Sequence, residues 1–140
     1  EGANTSYMNG TAPTSTHFVS GNDGDTNGAG DNYIALLFAS ANDADGNPIS
    51  KVGSYSGDGS SNLTITTGFQ PRFILIKPAD SGGSWHLFDS VRGMGATDKL
   101  LQVNSTAAQL DVNYVTVSAT GWNTEGTSLT NGNYIYYAHA

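Results

Sequence analysis

Apolar residues in this chain fall into short runs and alternations, separated by glycine-rich punctuation. Tyr33–Ala39 is a continuous apolar run and predicts a strand buried on both faces. Ser50–Ser56 interleaves polar and apolar residues weakly. Asn62–Thr67 alternates cleanly, with Leu63 and Ile65 on one face and threonines on the other. Arg72–Lys77 is an apolar run between Pro71 and Pro78, which mark its ends. Trp85–Asp89 follows the Ser81-Gly82-Gly83 turn, and Leu100–Val103, Tyr114–Ser118 and Asn133–Ala138 complete the series. The pattern places Ile34, Leu36, Phe38, Leu63, Ile65, Phe73, Leu75, Trp85, Val117 and Ile135 in the core. Helical turns are expected only at Asp98–Leu101 and at Ser105–Leu110, where Ser105 is a suitable N-cap.

Short strands with this punctuation predict an all-β fold, an antiparallel β-sandwich or jelly roll, rather than a βαβ arrangement. Composition sharpens the picture. Charged residues make up 12% of the 140, too few to clothe long solvated helices. Hydrophobic residues make up 37%, with 18 glycines, and the aromatic content sets the chain apart from ordinary disordered sequence. The length suits one compact domain. The net charge is -7 with only five lysines and arginines, so there is no basic stripe for phosphates and no attraction to anionic membranes. No apolar run approaches the ~20 residues of a membrane helix. The chain has no cysteine, which removes disulfide frameworks and thiolate chemistry. It opens at Glu1 with its first methionine at Met8 and no visible signal peptide, so a processed product or an excised piece of a longer one is expected.

Residues 1–16 are polar and turn-rich and suggest an extended N-terminal arm before a single sandwich domain over 17–140. An internal echo complicates this boundary. Phe18, a Gly/Asp/Asn loop and Asn32-Tyr33-Ile34 near the start match Trp122, a Gly/Thr/Asn loop and Asn133-Tyr134-Ile135 near the end. The echo suggests two equivalent hairpins, with 17–41 as the closing part of a preceding repeat. The competing reading is convergence in a sequence rich in Asn, Gly and Tyr.

Candidate chemistry is sparse. Asp23-Gly24-Asp25-Thr26-Asn27-Gly28 has the spacing that wraps oxygen ligands around Ca²⁺, with Asp31 as a further ligand. The closing Glu of an EF-hand is missing, since its position falls on Ile34, and the same residues are good turn formers. Asp43–Asn47 is a second acidic loop. Trp85 and His86 suggest a glycan platform with the indole stacking on a sugar face. The alternative is a core Trp85 with an Asp89–Arg92 pair holding the turn at Gly93. The three histidines His17, His86 and His139 stand in unrelated contexts, and no nucleophile–base–orienter set is apparent. No catalytic residue is assigned, and no cofactor other than calcium is expected. Tyr134, Tyr136 and Tyr137 lie on the last strand, where packing is the default reading and a subunit interface the alternative.

The ordered set Lys51–Gly59, Thr67–Lys77, Trp85–Gly93, Leu100–Ala108 and the closing Tyr134-Ile135-Tyr136-Tyr137-Ala138 resembles an uncharacterised domain family. That family recurs, often in tandem, in tail, fibre and other virion proteins of marine tailed phages. The resemblance covers about residues 18–140 and implies a β-sandwich module with no assigned catalytic residue. Members sit within much longer chains. The expectation is therefore a non-catalytic structural subunit of a virion (tail fibre, spike or capsid decoration) or similar extracellular assembly. It would associate with itself or with other virion or filament proteins. The alternatives are a carbohydrate-binding adhesion module for surface glycans and a self-assembling extracellular filament subunit.

Overall fold

The computed structural model describes residues 6–60, 62–95 and 97–140. By internal contacts the chain divides into two compact units, Glu1–Leu37 and Phe38–Ala140.

In the first unit, residues 1–5 of the expected arm lie outside the described residues. Residues 6–10 form turns, with Thr11 N donating to Met8 O at 2.9 Å and Gly21 N to Tyr7 O at 2.8 Å. The one helix among the described residues is α1, Gly24–Asn27, capped by the Asp23 side chain, which accepts from Asp25 N. The Tyr33 hydroxyl donates to Gly24 O and accepts from Gly28 N, both at 2.7 Å, tying the residues after the helix to its ends.

Among the described residues the second unit holds ten strands: β1 Ala41–Asn42, β2 Pro48–Asp58, β3 Thr64–Thr66, β4 Phe73–Pro78, β5 His86–Asp89, β6 Asp98–Gln102, β7 Leu110–Val112, β8 Val115–Ser118, β9 Gly121–Thr124 and β10 Asn131–His139. They form a seven-stranded sheet of order β1-β2-β10-β4-β5-β6-β7 and a three-stranded sheet of order β3-β9-β8, with every pair antiparallel. The two sheets pack face to face as the β-sandwich that the sequence predicts. Ile65, Val115 and Trp122 from the small sheet meet Ile74, Ile76, Phe88, Leu100 and the β10 residues Tyr134, Tyr136 and Ala138. Trp122 anchors this layer, fully buried and edge-on to Tyr55 at 5.6 Å and Tyr136 at 6.1 Å between ring centroids.

Several expectations are corrected. Tyr33–Ala39 forms no strand and is not buried: Ile34 is 93% exposed and Leu36 76%. An apolar run supplies the material for a buried strand, but burial also needs a neighbour to pair with. Asp98–Leu101 lies in strand β6, whose backbone pairs with β5 and β7 instead of closing helical turns, and Ser105–Leu110 contains no helix, with 105–109 irregular and Leu110 opening β7. The echo does not produce equivalent hairpins. Trp122 and Tyr134 lie on strands of different sheets, and Asn32–Ile34 forms no strand. Within the expected core, Ile65 and Leu75 are buried, while Leu63, Phe73, Trp85 and Val117 are half-buried. Ile34, Leu36, Phe38 and Ile135 are exposed. In β10 the parity is the reverse of that assumed: the tyrosines at 134 and 136 face the small sheet, and Ile135 faces away.

Candidate functional site

Both parities of β4 are apolar, so both faces of the large sheet carry hydrophobic side chains. Ile74 and Ile76 point into the sandwich, and their neighbours Phe73 and Leu75 point to the opposite, back face. Leu75 pairs with Tyr137 on one side and Leu87 on the other, and Tyr137 pairs with Val52. The result is an apolar depression of about 250 Å³ on the back of the sheet, lined by Phe38, Val52, Gly53, Leu75, Trp85, Ile135, Tyr136 and Tyr137. The Phe38 ring lies 4.6 Å from that of Tyr137, and Phe73 approaches the same tyrosine at 6.0 Å.

Trp85 belongs to this depression, whereas His86 does not. His86 pairs with Ile76 and its ring lies 6.5 Å from Tyr114, on the side facing the small sheet. The two residues of the expected glycan platform thus point to opposite faces. Trp85 lines the depression among apolar and tyrosine side chains, with its backbone N–H donating to Asn104 Oδ1 at 2.9 Å, whereas a sugar-binding platform combines ring stacking with several placed hydrogen-bonding groups. The His86 imidazole is held below its ordinary value by burial and by the nearby Lys77 charge, and its Nδ1 is buried without a partner among the described residues.

Asp89 and Arg92 form a local brace. Asp89 Oδ1 accepts from Val91 N at 3.0 Å and Arg92 N at 2.9 Å, and Oδ2 meets Arg92 Nε at 2.5 Å. Burial pushes the carboxyl up, but the hydrogen bonds and charge of Arg92 outweigh it and hold the group below the usual range. The turn closes with Gly93 N donating to Asp89 O at 3.1 Å, and Gly93 takes φ 131°, which a side chain would disfavour. This geometry is that of a structural turn.

The acidic loop is occupied with its own backbone. Asp23 caps α1, Asp25 accepts from the Tyr7 hydroxyl at 3.3 Å, and Asn27 Nδ2 donates to Gly21 O at 3.0 Å. Asp31 stands beyond the helix, where its carboxylate fills the space that a Cβ on Gly28 would need. Among the described residues no three His, Cys, Asp or Glu side chains are grouped closely enough to hold a metal. In the second acidic loop, Asp43 accepts from Asp45 N and from Asn47, whose hydrogen bonds hold its carboxyl below the usual range.

Two features escaped the sequence reading. The back-face depression was signalled by β4 and β10, where consecutive rather than alternate residues are apolar, the mark of a sheet with hydrophobic residues on both faces. Asp98 had no signal at all. It is fully buried, and its carboxylate accepts from Gly95 N at 2.7 Å, Tyr114 N at 2.7 Å and Val115 N at 2.8 Å.

Comparison with curated proteins finds no match, and comparison with solved structures finds none either. One family model matches along residues 1–140, described as a domain of unknown function. This β-sandwich chain belongs to the DUF7483 family.

Proposed function

We propose that the chain is a non-catalytic structural subunit that associates with copies of itself in a virion or similar extracellular assembly. The observation carrying this reading is the amount of uncharged apolar surface left open. Ile34, Leu36 and Leu37 are exposed, and so are Val52 and Ile135 on the back of the large sheet. Exposed apolar surface of this kind marks interaction sites, because water is excluded from it on association. The resemblance to a domain recurring in phage tail and fibre proteins supports the same reading, as do the low charge and the absence of cysteine.

Light scattering on purified protein, with electron microscopy of the same sample, tests the proposal. The expected result is discrete oligomers or filaments that persist into the micromolar range. A monomer at every concentration up to several hundred micromolar, with the sheet spectrum intact, would remove the self-associating reading.

A further inference from the structure

The two edges of the large sheet differ in how they are protected. At one edge, β7 is three residues long and charged, with Asp111 paired to Lys99 at 2.7 Å. Short, charged edges resist pairing with other chains. At the other edge lies β2, eleven residues long. Its inner side is paired with β10 from Ser50 to Asp58, but β1 covers its outer side only at Pro48 and Ser50. Val52 N is capped by the Ser40 hydroxyl at 3.1 Å. From Gly53 to Gly57 the outer edge has no strand partner among the described residues, and its sequence Gly-Ser-Tyr-Ser-Gly carries no charge and no proline.

The chain also carries an exposed segment of matching character. Tyr33-Ile34-Ala35-Leu36-Leu37 is uncharged and lacks proline and glycine, features typical of a strand. Together with Asn32 it repeats Asn133-Tyr134-Ile135 of β10, and β10 is the strand that β2 already accepts on its inner side. The chain is anchored just after this segment, by Phe38 on Tyr137 and by Ala39 O accepting from the Ser50 hydroxyl at 2.8 Å.

Resting on the self-association reading above, we propose that Tyr33–Leu37 of one copy adds as a strand to the open Gly53–Gly57 edge of a second copy. Its side chains would cover part of the apolar back face there. Backbone hydrogen bonds would supply the association, and alternate apolar side chains the specificity. Reciprocal exchange closes a dimer, and one-way exchange propagates a filament.

Because the chain lacks cysteine, the contact can be trapped cleanly. Leu36→Cys chains are mixed with Ser54→Cys chains under oxidising conditions, with Asp111→Cys on the opposite edge as the control. A disulfide-linked pair of unlike chains, formed at least tenfold faster than with the control, is expected. A parallel variant, Leu36→Lys, alters an exposed position, so the sandwich remains folded by circular dichroism and association weakens at least tenfold. Trapping no faster than the control, or unchanged association of Leu36→Lys in a protein that still oligomerises, overturns this contact and leaves self-association through another surface. So does a Leu36→Cys/Ser54→Cys double variant that closes only within single chains. A wild-type monomer at all concentrations removes both readings.

Discussion

Single side chains decide much of the stability. Asp98 replaces a strand partner for three backbone N–H groups at the junction of the two sheets. Asp98→Ala leaves those donors buried without an acceptor and should cost about 3 kcal/mol in urea unfolding, while Asp98→Asn, which keeps one carbonyl oxygen, should lose less. Trp122→Ala empties the centre of the sandwich, where the indole touches Tyr55 and Tyr136, and should cost about 4 kcal/mol. His86 sets a pH response. Its folded value is depressed below 6.5, so the unfolded chain takes up the proton first as pH falls. Stability is therefore fully present above pH 6.5 and declines below it, at a pH still above the carboxylate range. His86→Gln should flatten that decline in denaturant midpoints measured across pH. None of these roles was legible in the sequence. A buried Asp looks like any other Asp until the fold brings Tyr114 and Val115 to it, and alternation separates His86 from Trp85 in the sequence without saying which of the two faces the small sheet covers.

Among the elements, β4 and β10 were legible as apolar runs, although Tyr33–Ala39, just as apolar, lies in no strand because nothing among the described residues pairs with it. The edges and short strands were less so. β9 was missed because Gly121-Trp122-Asn123-Thr124 carries only one apolar side chain. Its glycine is nonetheless required by the pairing: a Cβ there would lie 2.1 Å from Ile65 O in the neighbouring β3. Gly121→Ala should push the two strands apart and cost about 2 kcal/mol or more, read as a lowered urea midpoint with an unchanged slope. β2 read as a weak strand from sequence and is the longest in the structure, since its Gly53 and Tyr55 fit beneath Tyr136 and Tyr134. Tyr55 stacks on Tyr134 with centroids 5.0 Å apart. Small and aromatic residues thus serve as its core face, where the pattern sought aliphatic ones.

At the scale of the whole molecule, the tyrosines link folding to alkaline pH. Burial raises Tyr55, Tyr134 and Tyr136 above their ordinary 10.0, so the folded chain keeps protons that the unfolded chain releases. Their contribution is fully present below pH 10 and is lost as pH rises above it, and a step in tyrosinate absorbance should coincide with loss of the sheet signal. The sequence by itself determined the fold class. Short apolar runs, glycine punctuation and little charge exclude covered helices and leave a two-layer β arrangement, a consequence of local pattern alone. It did not determine which apolar residues are inside. That is decided by strand parity and by which strands become neighbours, and a shift of one residue reverses every side chain. Tyr33–Leu37 is the clearest case: its composition demands burial, but only the tertiary structure shows that it lies in no strand and that Ile34 and Leu36 stay exposed.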